Sequence, residues 1–370
     1  MNIALLTYST KPRGGVVHTL SLAEALAAAG AAVTVWTLGR GGDAGFFRPV
    51  DPAVRQVIVP FPDHDGEGTG ERVLRSIAAL REAFDPRGYD IVHAQDCISA
   101  NAAGRCVRTV HHIDHFTTPQ LAACHERAIR LPFGHVCVSR AVARELRDGW
   151  GISATVIPNG VDAARFAAAA GPGPVAAAGR NRWRARLDRY VLAVGGIEPR
   201  KGSLDLLEAH ALLRRLQPGL RLVIAGGETL FDYRLYRAEW ESRAAELGID
   251  PVVLGPVAHE ELPSLVAAAA VFAFPSTVEG FGLAAMEALA AGVPLVTRDL
   301  PVLREVFGGA ALFGSDAPGI AAALGDALDR PDPVRTAAGR SLAARHTWQA
   351  AAQRHLELYR ALLAAGAPVA

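Results

Sequence analysis

The chain has 370 residues, 38 of them Lys or Arg against 37 Asp or Glu, and only Lys11 and Lys201 among the basic residues are lysines. With 50% hydrophobic and 20% charged residues it can bury two or three domain cores, and it is too apolar to remain disordered. A net charge of +1 lacks the cationic surplus that nucleic-acid binding requires.

No apolar run reaches the ~18 residues of a membrane span. The longest, Leu265 to Phe274, is bounded by Pro263 and Pro275. The N-terminus lacks the order of a signal peptide, and the four cysteines (Cys97, Cys106, Cys124, Cys137) include no Cys-x-x-Cys pair. These features predict a reduced, cytoplasmic protein with at most peripheral membrane contact.

The chain opens on a strand-length apolar run, Ile3 to Tyr8, then a turn, Lys11-Pro-Arg-Gly14-Gly15. A helical pattern with Leu20, Ala23, Leu26 and Ala27 on one face follows, stopped by Gly30. Further apolar strands are expected at 33–37, 91–93, 107–110, 136–138 and 155–157. Residues 167–180, rich in Ala, Gly and Pro, read as a flexible insertion or linker. The rhythm then restarts near 190–195, 221–226, 252–254, 271–274 and 294–297, and a helix around Trp348 to Leu363 closes the chain. Continuous apolar strands alternating with helices predict α/β architecture: two Rossmann-like, doubly wound parallel-sheet domains facing a cleft. Their expected extents are 1–163, joined by the closing helix at about 348–370, and 164–347. Ligands of such sheets bind beyond the carboxyl ends of the strands.

The most informative segment runs from Phe274 through Glu279-Gly-Phe281-Gly282-Leu283 to Glu287 and Gly292. A strand ends, a glycine-bearing loop follows, and a short apolar helix begins near Gly282, offering free N–H groups at Phe281 to Leu283 to a phosphate. Glu287 lies among Leu, Ala and Met, where an ionised carboxylate needs a partner from outside the helix. That partner is either a vicinal diol, as on a ribose, or an arginine in a buried bridge. The second segment is Val194-Gly195-Gly196-Ile-Glu198-Pro-Arg200-Lys201-Gly202-Ser203. It fails the Walker A order, since Lys201 precedes the glycine. Ser203 reads as the helix N-cap, with Asp205 in the first turn. Lys201 beside a positive helix end is either a phosphate-binding cation or a solvated surface lysine.

Six of the twelve histidines and all four cysteines fall within 93–137, including His111, His112 and His115. No pair has the ligand spacing of a zinc site. The cysteines are expected in the core, His111 at a strand end facing the cleft, and His112 and His115 in loop hydrogen bonds. The run Arg180, Arg182, Arg184, Arg186 and Arg189 reads as a solvated helix face or as a contact for an anionic acceptor or membrane.

Together, Glu279 and Glu287 separated by seven residues, Lys201 after the first strand of the second domain, Gly14-Gly15 after the first strand of the chain, and Ile157-Pro-Asn-Gly-Val-Asp162 resemble family 4 glycosyltransferases of GT-B fold. Val-Gly-Gly-Ile-Glu-Pro-Arg-Lys-Gly with Thr-Val-His-His-Ile-Asp is similar to a mycobacterial-type subfamily. The resemblance implies a retaining, metal-independent transferase that takes a nucleotide-diphosphate sugar, needs no cofactor, and serves an acceptor it does not identify. It implies that Lys201 neutralises the diphosphate, Glu279 holds the sugar hydroxyls and Glu287 the ribose diol. Backbone at Phe281, Gly282 and Leu283 would contact the donor, Gly14 and Gly15 would close on it, and His111 would lie near the reacting carbon. The family usually has an arginine where this chain has Gly196, so Arg200 or Arg13 would supply the second phosphate cation. A sugar-nucleotide epimerase or hydrolase of the same fold, and a noncatalytic sugar-nucleotide-binding protein, are the alternatives.

Overall fold

The computed structural model describes residues 1–114, 116, 118–227 and 233–366. His115 and residues 367–370 of the expected closing helix therefore lie outside the described residues. The chain divides into two compact units, Met1–Gly160 with Trp348–Ala370, and Val161–Thr347.

The first unit is built on seven parallel strands: β1 Asn2–Leu6, β2 Ala32–Arg40, β3 Val54–Phe61, β4 Ile91–Ala94, β5 Val107–Val110, β6 Gly134–Cys137 and β7 Thr155–Val156. Their order is β3-β2-β1-β4-β5-β6-β7. Ile3 sits opposite both Val33 and Ile91, and Ile3 to Leu6 are fully buried, as expected for a strand covered on both faces. Ala4, Leu6, Val92 and Ala94 pack into one core with Leu80, Ala100 and Ala128 from the helices Thr69–Ala83, Cys97–Ala103 and Pro119–Arg130. The helix Gly14–Ala28 packs against the closing helix, Trp348–Ala364.

The second unit has six parallel strands: β8 Tyr190–Val194, β9 Arg221–Ala225, β10 Val252–Gly255, β11 Val271–Phe274, β12 Leu295–Arg298 and β13 Ala311–Gly314, in the order β10-β9-β8-β11-β12-β13. In each unit the strand order reverses once, between β1 and β4 and between β8 and β11. These are the topological switch points where doubly wound sheets receive ligands.

The structure corrects the sequence reading in three places. Val54–Phe61 and Ala311–Gly314 are strands that the apolar-run criterion passed over, both at sheet edges. Residues 167–180 are not a linker: apart from the bend at 171–173 they belong to two helices, Ala163–Ala170 and Pro174–Leu187. Alanine carries the highest helix propensity, and the Asp162 side chain caps the first helix by accepting from Arg165 N–H at 3.2 Å. Pro174 sits at the start of the second, where its missing N–H costs nothing. Arg180 donates to the carbonyls of Ala169 (2.5 Å) and Gly171 (2.9 Å), closing the first helix's C-terminus. Arg180, Arg182, Arg184 and Arg186 of the dense arginine run thus lie on the second helix, with Arg180 as a cap, Arg182 near Glu261 (3.7 Å) and Arg186 stacked over Trp183, while Arg189 follows it.

Candidate active site

In the second unit, the loop after β8 and the loop after β11 leave from neighbouring strands at the switch point. Pro199–Lys201 forms one 3-10 turn, and Gly202 follows in the left-handed region at φ +63°. A Cβ on Gly202 would lie 2.2 Å from the Pro275 carbonyl oxygen, so only glycine lets the two loops meet. Gly202, and not Ser203, is the N-cap of the helix Ser203–Leu213. Ser203 is its first residue, and its hydroxyl donates to the Glu198 carbonyl at 3.4 Å. Asp205 is in the first turn, as read from sequence.

The close approach brings Lys201 and Glu279 together across 78 residues of chain. Lys201 Nζ lies 2.5 Å from Glu279 Oε1 and 5.1 Å from the centre of the Phe274 ring. Arg200 Nη1 reaches the same Glu279 oxygen at 3.2 Å, and its Nη2 lies 3.5 Å from Glu198. Thr277 N–H donates to the Arg200 carbonyl at 2.8 Å, tying the loops by backbone as well. The aliphatic stem of Lys201 runs past Gly195, with Cε 3.4 Å from where a Cβ would stand. Two cations thus share one largely buried carboxylate, an arrangement that a polyanionic ligand can enter by drawing the cations to itself.

Gly282, at φ +97°, caps the helix Leu283–Ala290 and wedges between the Phe274 and Phe307 rings. Phe281 is buried and lies 5.6 Å from the His346 ring, so it can offer a ligand its backbone and not its side chain. Being first in the helix, Leu283 has no intrahelical acceptor for its N–H. Glu287, on the next turn, is half-buried. Among the described residues it forms no ion pair, so the buried Glu–Arg bridge is not what the structure shows. Burial pushes its carboxyl up to about 7, with Arg165 opposing the rise and Asp162 adding to it.

Sequence reasoning missed Arg298, at the end of β12. Its Nε donates to the Pro275 carbonyl (2.9 Å), its Nη1 to the Ser315 carbonyl (2.8 Å), and its Nη2 pairs with Asp205. It therefore pins both loops that carry Lys201 and Glu279. The available signal was positional, a basic residue at the carboxyl end of a parallel strand.

In the first unit, Gly14 and Gly15 open the helix Gly14–Ala28. His111, just beyond β5, presents its Cδ2–Nε2 edge to Gly15, 3.9 Å from the position of a Cβ there. Its ring meets His18 edge to face at 4.7 Å, and His18 is held by Asn159 (3.0 Å) and lies 5.3 Å from the Trp348 ring. Burial lowers the His111 imidazole to about 3, helped by His112 and Arg108, so it is neutral at physiological pH. His112 lies 3.1 Å from Asp114 in the following loop. Cys106, Cys124 and Cys137 are buried and all four cysteines are free thiols. Lys11 is an exposed partner of Asp43 at 2.9 Å. Among the described residues no three His, Cys, Asp or Glu side chains converge as metal ligands.

Two family models match the chain: Glycosyltransferase Family 4 over residues 12–165 and Glycosyl transferases group 1 over residues 180–330. The D-inositol 3-phosphate glycosyltransferase of Kineococcus radiotolerans is 31% identical over 97% of this chain and 94% of its own length. Among solved structures, sucrose-phosphate synthase from Thermosynechococcus elongatus superposes with a TM-score of 0.80 at 22% identity, covering 99% of this chain and all of its own. HepE of Anabaena, solved in complex with UDP-glucose, gives 0.75 at 19% identity over 98% of this chain and all of its own.

Proposed function

The chain belongs to the family 4 glycosyltransferases, of GT-B fold, and on that premise we propose that it transfers a sugar from a nucleotide-diphosphate sugar to an acceptor with retention of anomeric configuration and without a metal ion. The observation that carries this reading is the meeting of Lys201, Arg200 and Glu279 at the switch point, next to the opening of the helix Leu283–Ala290. In this reading Lys201 and Arg200 turn to the diphosphate, Arg200 standing in for the family's arginine at the Gly196 position. Glu279, released from them, accepts hydrogen bonds from the transferred sugar's hydroxyls. Glu287 accepts from the ribose diol, a pair of donors suited to a half-buried carboxylate with no ion-pair partner of its own. Backbone N–H groups at Phe281, Gly282 and Leu283 add donors to the sugar and phosphates, so that fixed dipoles and two cations carry the leaving charge. Within the first unit, the backbone at Gly14 and Gly15 stands beside the neutral His111 edge.

The step this arrangement serves is a same-face displacement. The acceptor oxygen bonds to the anomeric carbon on the face the nucleotide leaves, the bond from that carbon to the phosphate oxygen breaks, and the departing phosphate takes the acceptor's proton. The test is nucleotide binding by calorimetry, after thermal shift with UDP, GDP, ADP and TDP has selected the nucleotide. Lys201→Ala and Glu287→Ala are expected to fold normally and lose binding at least tenfold; wild-type affinity in both overturns the site. Incubation with the sugar nucleotide alone separates the transferase from an epimerase, since only the latter returns an isomerised sugar without acceptor.

A further inference from the structure

In the second unit the helix that follows Lys201, Ser203–Leu213, begins without a cap of its own. Its N-cap is Gly202, which has no side chain to accept from the first-turn N–H groups, and the Ser203 hydroxyl is turned back to the Glu198 carbonyl. The acceptor comes from a different helix, Arg234–Glu246, which follows β9. Tyr236 Oη accepts from Leu204 N–H at 3.3 Å. One turn further on, Trp240 Nε1–H donates to the Ser203 carbonyl at 3.1 Å, and the Trp240 ring is buried in the same core as Leu206 and Leu207. Arg243, again on this face, closes the seam on Glu208 at 2.6 Å.

The first turn of a helix has N–H groups with no intrahelical acceptor, and it frays when nothing else takes them. Here only Gly202 separates that turn from Lys201, so a frayed start carries the lysine with it. Gly202 has no slack either, since it already meets the Pro275 carbonyl. On the side of β11 and β12 the turn is held by Arg298, through Asp205 and Pro275, and by the Thr277 N–H on the Arg200 carbonyl. β9 is the neighbour of β8 on the other side, and from there the hold comes from Tyr236 and Trp240. The character of the cap also suits an anion site. Burial keeps the Tyr236 phenol above its ordinary range, Asp205, Glu239 and Glu198 add to the rise and the Leu204 bond opposes it, so the hydroxyl is uncharged at neutral pH. An aspartate, a common cap at this point of a helix, would place a carboxylate beside Lys201 and repel a phosphate; a phenol caps without that charge.

We propose that Tyr236, backed by Trp240, is a positioning residue of the donor site: it caps the helix Ser203–Leu213 from outside and thereby fixes the turn that presents Lys201. Neither side chain is given a contact with substrate. Their effect passes through the backbone of residues 202–204, and a shift of about 1 Å in a binding group is enough to lose much of what it contributes. Lys201 is taken as the diphosphate's cation, and in that respect the inference rests on the proposed function.

Lys11 and Lys201 are the only lysines of the chain, with side chains 50% and 20% exposed, so each reports separately in a labelling experiment. The full chain is treated with a trace of acetic anhydride, and acetylation of Lys201 relative to Lys11 is read by mass spectrometry in wild type, Tyr236→Phe and Arg243→Met. Tyr236→Phe keeps the ring and removes the acceptor, whereas Arg243→Met loosens the same pair of helices away from the turn. Tyr236→Phe is expected to raise the ratio of Lys201 to Lys11 labelling by about twofold or more, as a turn that opens more often does, and Arg243→Met to leave it unchanged. Calorimetry with the nucleoside diphosphate selected by thermal shift should show Tyr236→Phe binding roughly threefold to tenfold more weakly, the loss expected of a helix cap. The same change made in Lys201→Ala should cause no further loss. A wild-type labelling ratio in Tyr236→Phe overturns the proposal, as does a ratio raised equally by Arg243→Met. With Lys201→Ala weakened, it is also overturned by wild-type affinity in Tyr236→Phe, or by a Tyr236→Phe loss as large in Lys201→Ala as in wild type. Wild-type affinity in Lys201→Ala overturns the donor assignment instead, and the labelling ratio still decides whether Tyr236 holds Lys201.

Discussion

Glu287→Gln tests whether the buried carboxylate is kept for ligand binding at a cost in stability. The folded carboxyl titrates near 7 because burial disfavours its charge, whereas the ordinary value is 4.5. Below pH 4.5 both states hold the proton and the residue is neutral to stability. As pH rises from 4.5 towards 7 the unfolded chain releases the proton first, so the folded state loses about 1.4 kcal/mol per pH unit. Above 7 the full loss, at most about 3 kcal/mol before any discount for partial exposure, is in place. Glutamine keeps the shape without the charge. Thermal unfolding of the apo protein should therefore show the variant level with wild type at pH 5. At pH 8 it should lead by ~1–3 kcal/mol, a rise of several degrees in the melting of the second unit. Nucleotide affinity should move the other way, falling tenfold or more at pH 8. A stability difference that is the same at pH 5 and pH 8, or one that favours wild type at pH 8, refutes the assignment of the cost to an ionised Glu287.

The first unit should respond to pH in the opposite sense. His18, His93, His111 and His355 are buried and held below their ordinary value by desolvation, His355 at about 4, so their contribution is complete above pH 6.5 and is lost as pH falls. Hydrogen exchange between pH 7 and 5 should show strands β1, β4 and β5 and the helix Trp348–Ala364 losing protection before the second unit does, and His355→Phe should reduce the difference. Gly202→Ala places a methyl on the Pro275 carbonyl in a left-handed backbone, which should cost 2 kcal/mol or more in urea unfolding and weaken nucleotide binding. Arg298→Met strips the Pro275 and Ser315 carbonyls of a donor and leaves Asp205 without its buried partner. It should cost ~2–4 kcal/mol and lower kcat/KM, because Arg298 holds the Glu279 loop at Pro275 and the helix that follows Lys201 at Asp205.

The fold was legible where strands are covered on both faces. β1, β2, β8, β9 and β11 read as apolar runs because, past the exposed first residue of β1, β2 and β9, their side chains are buried or partly buried on both faces. β3 was not, because it lies at the sheet edge: Arg55 and Gln56 are exposed, and Pro60 breaks the pattern where no further strand needs its N–H. β13 failed for length, with four residues that are half-exposed in the middle. The alanine-rich segment shows a different failure. Composition suggested flexibility, yet Asp162 and Pro174 were start signals for two helices in plain view, and only the Arg180 caps required the third dimension.

The site divides in the same physical way. Glycine-bearing loops directly after strands marked Gly14, Gly15, Lys201, Glu279 and Gly282, because a left-handed backbone or a close approach leaves its trace in a single residue. What no local pattern records is which loops come together. Lys201 and Glu279 meet because β8 and β11 are neighbours at the point where strand order reverses, a property of the topology and not of either segment. Arg298 went unread for the same reason. It ends an ordinary strand, and its importance comes from the loop of the adjacent strand, at Pro275. In a doubly wound sheet a cation on the last residue of a parallel strand is therefore a candidate for the ligand site before any motif is found. Its own sequence neighbourhood supplies no reason to notice it.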